Sequence, residues 1–181
     1  MPELQETKMP RITLITGGMK SGKSAHALSI AEGYQRKLFV ATAEPLDEEI
    51  KERIDRHKKE RDSTYTTVEE PIRIGAVLKE AKHRYGADVV IVDCLTLWLG
   101  NIFHKDVENL DAHIQDLLDA LKDSVCPAVL ITNEIGMGVV PVSRDTRRFV
   151  DECGRLNRLV AALSTEVILM VSGLPLFLKR G

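Results

Sequence analysis

The octapeptide Gly17-Gly18-Met19-Lys20-Ser21-Gly22-Lys23-Ser24 constrains this chain more than any other stretch. It stands between a β-branched apolar run, residues 11–16, and a segment of helical character, residues 24–32. Its spacing is Gly-x-x-x-x-Gly-Lys-Ser, and the chemistry behind that spacing is anion binding. Glycines let the backbone curl so that successive N–H groups point into one concavity. The N-terminus of the following helix adds the positive end of its dipole. The lysine then reaches the β- and γ-phosphates of a nucleotide, and the hydroxyl after it ligates Mg²⁺. Strand, glycine loop and helix in this order predict a P-loop. Gly17, Gly18, Met19, Lys20, Ser21, Gly22, Lys23 and Ser24 are thereby expected to hold the phosphates of ATP or GTP, with Ser24 also on the metal.

The rest of the chain reads as the scaffold such a loop needs. Further β-rich runs recur at residues 37–41, 89–93, 128–132 and 166–172. They are continuously apolar rather than alternating, which is the pattern of parallel strands buried on both faces. Helical segments separate them. Leu110, Ile114, Leu117, Leu118 and Leu121 repeat at helical spacing, as do Phe149, Val150, Cys153, Leu156, Val160 and Leu163. The expected fold is a single-domain α/β P-loop NTPase type: a mostly parallel sheet flanked by helices, over residues 11–181. Residues 1–10 are expected to be an extension, and residues 174–179, opened by Pro175, a last edge strand.

Composition narrows the partners. A chain of 181 residues with a hydrophobic share of 44% fits one domain with a real core, and the 4% aromatic share makes that core aliphatic. Acidic and basic residues nearly cancel, 27 against 25, which argues against a nucleic-acid binder and against an acidic disordered chain. No stretch approaches the ~20 apolar residues of a membrane span, and residues 1–10 lack the apolar centre of a signal peptide. A cytoplasmic protein is expected. The three cysteines, Cys94, Cys126 and Cys153, are too few and too scattered for a disulfide framework or a zinc site, so buried thiols are expected.

P-loop enzymes also need a carboxylate near the metal at the end of a neighbouring strand. Asp93 closes the run Val89-Val90-Ile91-Val92-Asp93 and is the first candidate, although an Asp there also suits a turn. Glu134, just beyond the run 129–132, is the second, because open α/β sheets bind ligands at their strand C-termini. The charged segment 47–62 has its acids mostly early and its bases mostly late, as the helix dipole favours. Ile50, Ile54 and His57 share one face of it, and Arg53 and Arg61 flank His57 four residues away on either side. Those cations favour a neutral imidazole. Spacing alone favours a histidine that merely rests on the helix's apolar face. Residues 133–141, with Gly136, Gly138 and Pro141, form a shaped loop whose role, substrate contact or plain turn, the residues leave open.

An ordered set of motifs is similar to one family. The set comprises Thr-Gly-Gly-Met-Lys-Ser-Gly-Lys-Ser at 16–24, Ala41-Thr42-Ala43, Asp47-Glu48-Glu49 leading to Arg53-Ile54-x-x-His57, and Thr67-Val68-Glu69-Glu70-Pro71. It continues with Asp93-Cys94-Leu95-Thr96-Leu97-Trp98, Asn133-Glu134-Ile135-Gly136-Met137-Gly138, Arg148-Phe149-x-Asp151-x-x-Gly154-x-x-Asn157 and Val171-Ser172-Gly173-Leu174-Pro175. The chain resembles the bifunctional adenosylcobinamide kinase/adenosylcobinamide-phosphate guanylyltransferases of cobalamin biosynthesis over residues 11–179. The resemblance implies two reactions: phosphorylation of adenosylcobinamide by ATP or GTP, then transfer of GMP from GTP to adenosylcobinamide phosphate. It implies His57 as the nucleophile that carries GMP. It implies nucleotide contacts at residues 17–24, at Ala41, Thr42 and Ala43, at Lys58, Lys59, Glu60 and Arg61, and at Glu69 and Asp93, with Mg²⁺ on Ser24 and Asp93. Some members carry Glu where this chain has Asp93, and the members assemble as trimers. The rival readings are a small-molecule P-loop kinase without the nucleotidyl step and a P-loop GTPase switch; the guanine motif Asn-Lys-x-Asp of the latter is absent.

Overall fold

Strands that are apolar on both sides must be covered on both sides, and the sheet of this protein is built that way. The computed structural model describes residues 11–44 and 62–181. The strands are β1 (Ile12–Gly17), β2 (Lys37–Ala41), β3 (Tyr65–Glu69), β4 (Val89–Asp93), β5 (Ala128–Ile131), β6 (Glu166–Val171) and β7 (Leu174–Lys179). They form one sheet in the order β3-β2-β4-β5-β1-β6-β7. Every pairing is parallel except β6 with β7. The described helices are α1 (Lys23–Ala31), α2 (Ile74–Glu80), α3 (Leu95–Lys105), α4 (Leu110–Lys122) and α5 (Arg144–Leu163).

Side chains alternate across the sheet and so divide the core in two. Leu14, Leu38, Val40, Val90, Val92 and Leu130 pack on one face with residues from α2 to α5, among them Ile74, Trp98, Leu99, Leu117, Leu121, Cys153 and Leu156. Ile15, Phe39, Ile91, Val129 and Ile131 pack on the other face with Ala27 and Ala31 of α1. All three cysteines are buried and free, as expected. The indole of Trp98 donates to the Ile72 carbonyl at 2.6 Å, so the single tryptophan is buried with its polar group satisfied.

The expected α/β fold is present, with informative differences in detail. The five strands anticipated from apolar runs lie within one residue of their expected bounds, and the expected edge strand is β7. β3 is an addition. Only Tyr65 and Val68 of its five residues are half-buried, and Thr66, Thr67 and Glu69 are exposed, because an edge strand has a neighbour on one side only. α3 is another; Leu95, Trp98, Leu99 and Ile102 are buried along one face of it at helical spacing, while Leu97 is exposed. α5 starts at Arg144, five residues before the first apolar position, with the Ser143 hydroxyl accepting from Thr146 N at 3.5 Å. The expected extension, residues 1–10, lies outside the described residues. So does the expected charged helix, with His57, Lys58, Lys59, Glu60 and Arg61, except for Asp62, which is not helical.

Packing rather than surface charge holds the α2–α4 layer. Leu117 is fully buried, whereas the nearby Lys79–Asp116 ion pair has both side chains about half exposed. Exposed pairs contribute little, while a buried leucine loses both transfer energy and packing when truncated. Leu117→Ala should cost ~2–5 kcal/mol in urea denaturation, and Lys79→Ala should leave the midpoint nearly unmoved. A larger loss for Lys79→Ala than for Leu117→Ala would contradict this assignment.

Candidate active site

The phosphate loop leaves β1 through two residues with glycine-only geometry. Gly17 has φ +145° and Gly22 φ +97°. At Gly17 an added Cβ would collide with the Met170 carbonyl oxygen and lie 2.9 Å from Ser21 Oγ. At Gly22 it would lie 3.3 Å from Gly173 Cα. The turn between β6 and β7 thus backs the loop. Ser172 and Gly173 both have positive φ, 52° and 83°, the signature of a tight two-residue hairpin. Gly173 N donates to Ser21 O at 3.0 Å and ties that hairpin to the loop.

Gly18, Met19 and Lys20 form the exposed crest of the loop, and Ser21 and Lys23 lie beneath it. Lys23 is 7% exposed, and its ammonium donates to the Gly18 carbonyl at 2.5 Å. Ser21 Oγ is buried and has no hydrogen-bond partner among the described residues. A buried hydroxyl left without a partner is costly, and a phosphate oxygen in the loop would satisfy it. Ser24 follows in the first turn of α1, and its hydroxyl donates to Asp93 Oδ2 at 2.8 Å. A hydroxyl and a carboxylate in contact are hard oxygen donors, the kind that Mg²⁺ takes in small number beside substrate phosphates. The residues therefore fit that ion.

Register brings the remaining expected contacts to the same end of the sheet. Ala41 of β2 pairs with Glu69 of β3 on one side and with Asp93 of β4 on the other. Thr42 is fully buried. Its hydroxyl accepts from Cys94 N at 2.7 Å and donates to Cys94 O at 2.8 Å. The Asn101 amide donates to Thr42 O at 2.8 Å and Pro71 O at 3.1 Å. Ala41, Thr42 and Ala43 are thus a braced turn beside Asp93, while Glu69 stands exposed at the end of β3. His57 and residues 58–61 fall outside the described residues, so their placement against this row is not part of the geometry.

A polar network that residue patterns alone did not reveal joins the loop to α5. The Thr16 hydroxyl donates to Glu134 Oε1 at 2.8 Å, and the Asn157 amide donates to the same oxygen at 3.1 Å. Thr132 donates to Asn157 Oδ1 at 2.7 Å and lies 3.3 Å from the Thr96 hydroxyl, which accepts from Asn133 N at 2.8 Å. The available signals were small: threonines ending two apolar strands, and an asparagine on the buried face of α5. Thiol chemistry has no place here. Burial, with Asp93 adding to it, pushes the Cys94 thiol up to about 12, and burial does the same for Cys153.

A mostly parallel sheet with a phosphate loop at the end of β1 and an acidic residue at the end of β4 defines the class: an α/β P-loop nucleotide-binding protein. Two solved structures share the fold. The flagellar accessory protein FlaH from Methanocaldococcus jannaschii matches with a TM-score of 0.52 and 17% identity, over 94% of this chain and 79% of that one. A KaiC-like protein from Pyrococcus horikoshii OT3 matches with a TM-score of 0.51 and 16% identity, over 88% of this chain and 70% of that one.

Sequence comparison is more specific. Residues 13–178 match the family described as cobinamide kinase / cobinamide phosphate guanyltransferase, and the chain belongs to that family. The bifunctional adenosylcobalamin biosynthesis protein CobP of Pseudomonas aeruginosa is 38% identical, over 92% of this chain and 96% of that one. The bifunctional adenosylcobalamin biosynthesis protein CobU of Escherichia coli is 35% identical, over 92% of this chain and 98% of that one.

The loop geometry makes a direct prediction for Lys23. Replacing it with alanine removes a charge from a site shaped for phosphate. Nucleotide turnover should fall by ~10²-fold or more, as when a preorganised charge-stabilising donor is lost. Circular dichroism should remain that of the folded chain. Wild-type nucleotide binding and turnover in Lys23→Ala would remove this loop from the chemistry.

Proposed function

We propose that this chain phosphorylates adenosylcobinamide and then guanylylates the product, using one phosphate loop for both nucleotides. The observation that carries the reading is the family match over residues 13–178, which spans the sheet from β1 into β7. The loop supports it with a cradle for phosphates, and the Ser24–Asp93 contact supports it with oxygen donors for Mg²⁺. ATP or GTP serves the first reaction and GTP the second.

In the first reaction the hydroxyl of the aminopropanol arm attacks the γ-phosphate. A new O–P bond forms, the bridging P–O bond breaks, and its electron pair leaves with the nucleoside diphosphate. Loop amides and Lys23 hold the phosphates in line and stabilise the charge that develops on them. Bound Mg²⁺ neutralises part of that charge. No protein nucleophile is needed for this step.

The second reaction differs, because GMP must be carried. His57 attacks the α-phosphate of GTP through a neutral imidazole nitrogen, kept neutral by Arg53 and Arg61. The N–P bond forms as the α–β bridging bond breaks and pyrophosphate departs. A phosphate oxygen of adenosylcobinamide phosphate then attacks the same phosphorus and releases the imidazole, giving adenosylcobinamide-GDP. Lys58, Lys59, Glu60, Arg61, Glu69 and the turn Ala41-Thr42-Ala43 complete the nucleotide contacts in this reading. A cytoplasmic homotrimer, with no nucleic-acid or membrane partner, completes the proposal.

His57→Ala separates the two activities. Guanylyl transfer and covalent GMP labelling should disappear, and kinase turnover should stay within about tenfold of wild type because that step has no covalent intermediate. The bond to GMP should be lost in acid and survive alkali, as a phosphoramidate. Labelling that persists in His57→Ala, or an acid-stable bond, would assign the nucleophile to another residue. A wild-type chain with kinase activity and no GMP transfer would favour the simpler kinase reading.

A further inference from the structure

Glu134 is a second acidic residue tied to the phosphate loop, through its backbone. β5 lies between the loop strand β1 and the Asp93 strand β4. Just past its end, Glu134 N donates to the carbonyl of Gly17, the first loop residue, at 3.2 Å. Its carboxylate is oriented through one oxygen: Thr16 and Asn157 both donate to Oε1. Oε2 makes no hydrogen bond among the described residues. Asp93, in contrast, accepts from the Ser24 hydroxyl on the other side of β5. The two carboxylates thus lie on the same side of β1, Glu134 nearer the loop strand, in different surroundings.

A groove also opens beside Glu134. Glu134 and Asn157 line an open groove of about 480 Å³ together with Val150, Asp151, Gly154 and Arg158 of α5. Asn157 is buried and Glu134 half-buried, while Asp151, Gly154 and Arg158 are exposed. The groove therefore runs from the protein surface to a fixed carboxylate beside the phosphate loop.

We propose that Glu134 is the general base of the kinase reaction, and that the acceptor hydroxyl reaches the γ-phosphate through this groove. The inference rests on the functional reading above. In the step, the hydroxyl oxygen forms its bond to the γ-phosphorus, its proton passes to Glu134 Oε2, and the bridging P–O electrons leave with the nucleoside diphosphate. The role is confined to one reaction by the chemistry of the nucleophiles. The acceptor hydroxyl carries a proton that must go somewhere. A neutral imidazole and an ionised phosphate attack through lone pairs on atoms that bear no proton.

The test compares wild type, Glu134→Gln and Glu134→Asp as full chains. Kinase turnover is measured with adenosylcobinamide and ATP, and guanylyl transfer with GTP and adenosylcobinamide phosphate supplied ready-made. Glutamine keeps an oxygen for Thr16 and Asn157 but takes no proton. Glu134→Gln should lower kinase kcat by ~10²–10⁴-fold, the usual contribution of a general base. The nucleotide KM and the guanylyl-transfer rate should stay within about threefold of wild type, and Glu134→Asp should recover part of the lost kcat. Kinase kcat near wild type in Glu134→Gln would overturn the role. So would an equal fall in both reactions with a raised Mg²⁺ requirement, which would place Glu134 on the metal. An equal fall with a lowered melting temperature would make it a structural residue. If wild type fails to phosphorylate adenosylcobinamide, the functional reading falls, and this role falls with it.

Discussion

At Gly17 the backbone of β1 passes so close to β6 that a Cβ would collide with the Met170 carbonyl oxygen and stand 2.9 Å from Ser21 Oγ. The site depends on this close approach. It lets β6 and its turn to β7 sit directly behind the loop, where Gly173 N takes the Ser21 carbonyl. It also sends the chain into the left-handed region that turns the Ser21 and Lys23 side chains beneath the crest. A side chain at Gly17 would have to push β6 away or open the loop, and either change would move the phosphate cradle.

The sheet then distributes chemistry around that loop by register. Ala41, Glu69 and Asp93 arrive in one row across β2, β3 and β4 because those strands are parallel and in phase. β5 interposes Glu134 between that row and the loop. The two core layers hold these strand ends at fixed height. Leu14 and Ile15, adjacent in β1, anchor opposite faces of the sheet, so the loop is fastened from both sides. Buried hydrogen bonds finish the alignment: Thr42 couples the end of β2 to Cys94, and Thr132 couples the end of β5 to Asn157. A buried polar group left unpaired costs more than a bond gains, so these contacts specify position more than they add stability.

What could be read from residues in order was whatever a local pattern encodes. The loop was legible because its chemistry needs particular residue types at consecutive positions. Asp93 was legible as a candidate because it closes an apolar run, although an Asp there also suits a turn. β3 was not, since Thr66, Thr67 and Glu69 face outward at an edge and leave no apolar signature. α3 was not read as a helix, although Leu95, Trp98, Leu99 and Ile102 are buried at helical spacing. Glu134 could be named as a carboxylate at a strand end. Its anchoring could not, because its partners Thr16 and Asn157 lie 118 and 23 residues away in sequence. His57 shows the complementary case. Its proposed role comes from resemblance, and it lies outside the described residues.

The central claim is that one phosphate loop holds the nucleotide for both reactions. Intact-mass spectrometry of the protein incubated with GTP and Mg²⁺, against rising concentrations of a non-hydrolysable ATP analogue, tests it most directly. The account predicts one GMP per chain, located on the peptide that carries His57, and its loss as the analogue saturates the kinase reaction. GMP labelling undiminished by an analogue that fully inhibits the kinase would mean two nucleotide sites and would contradict the account.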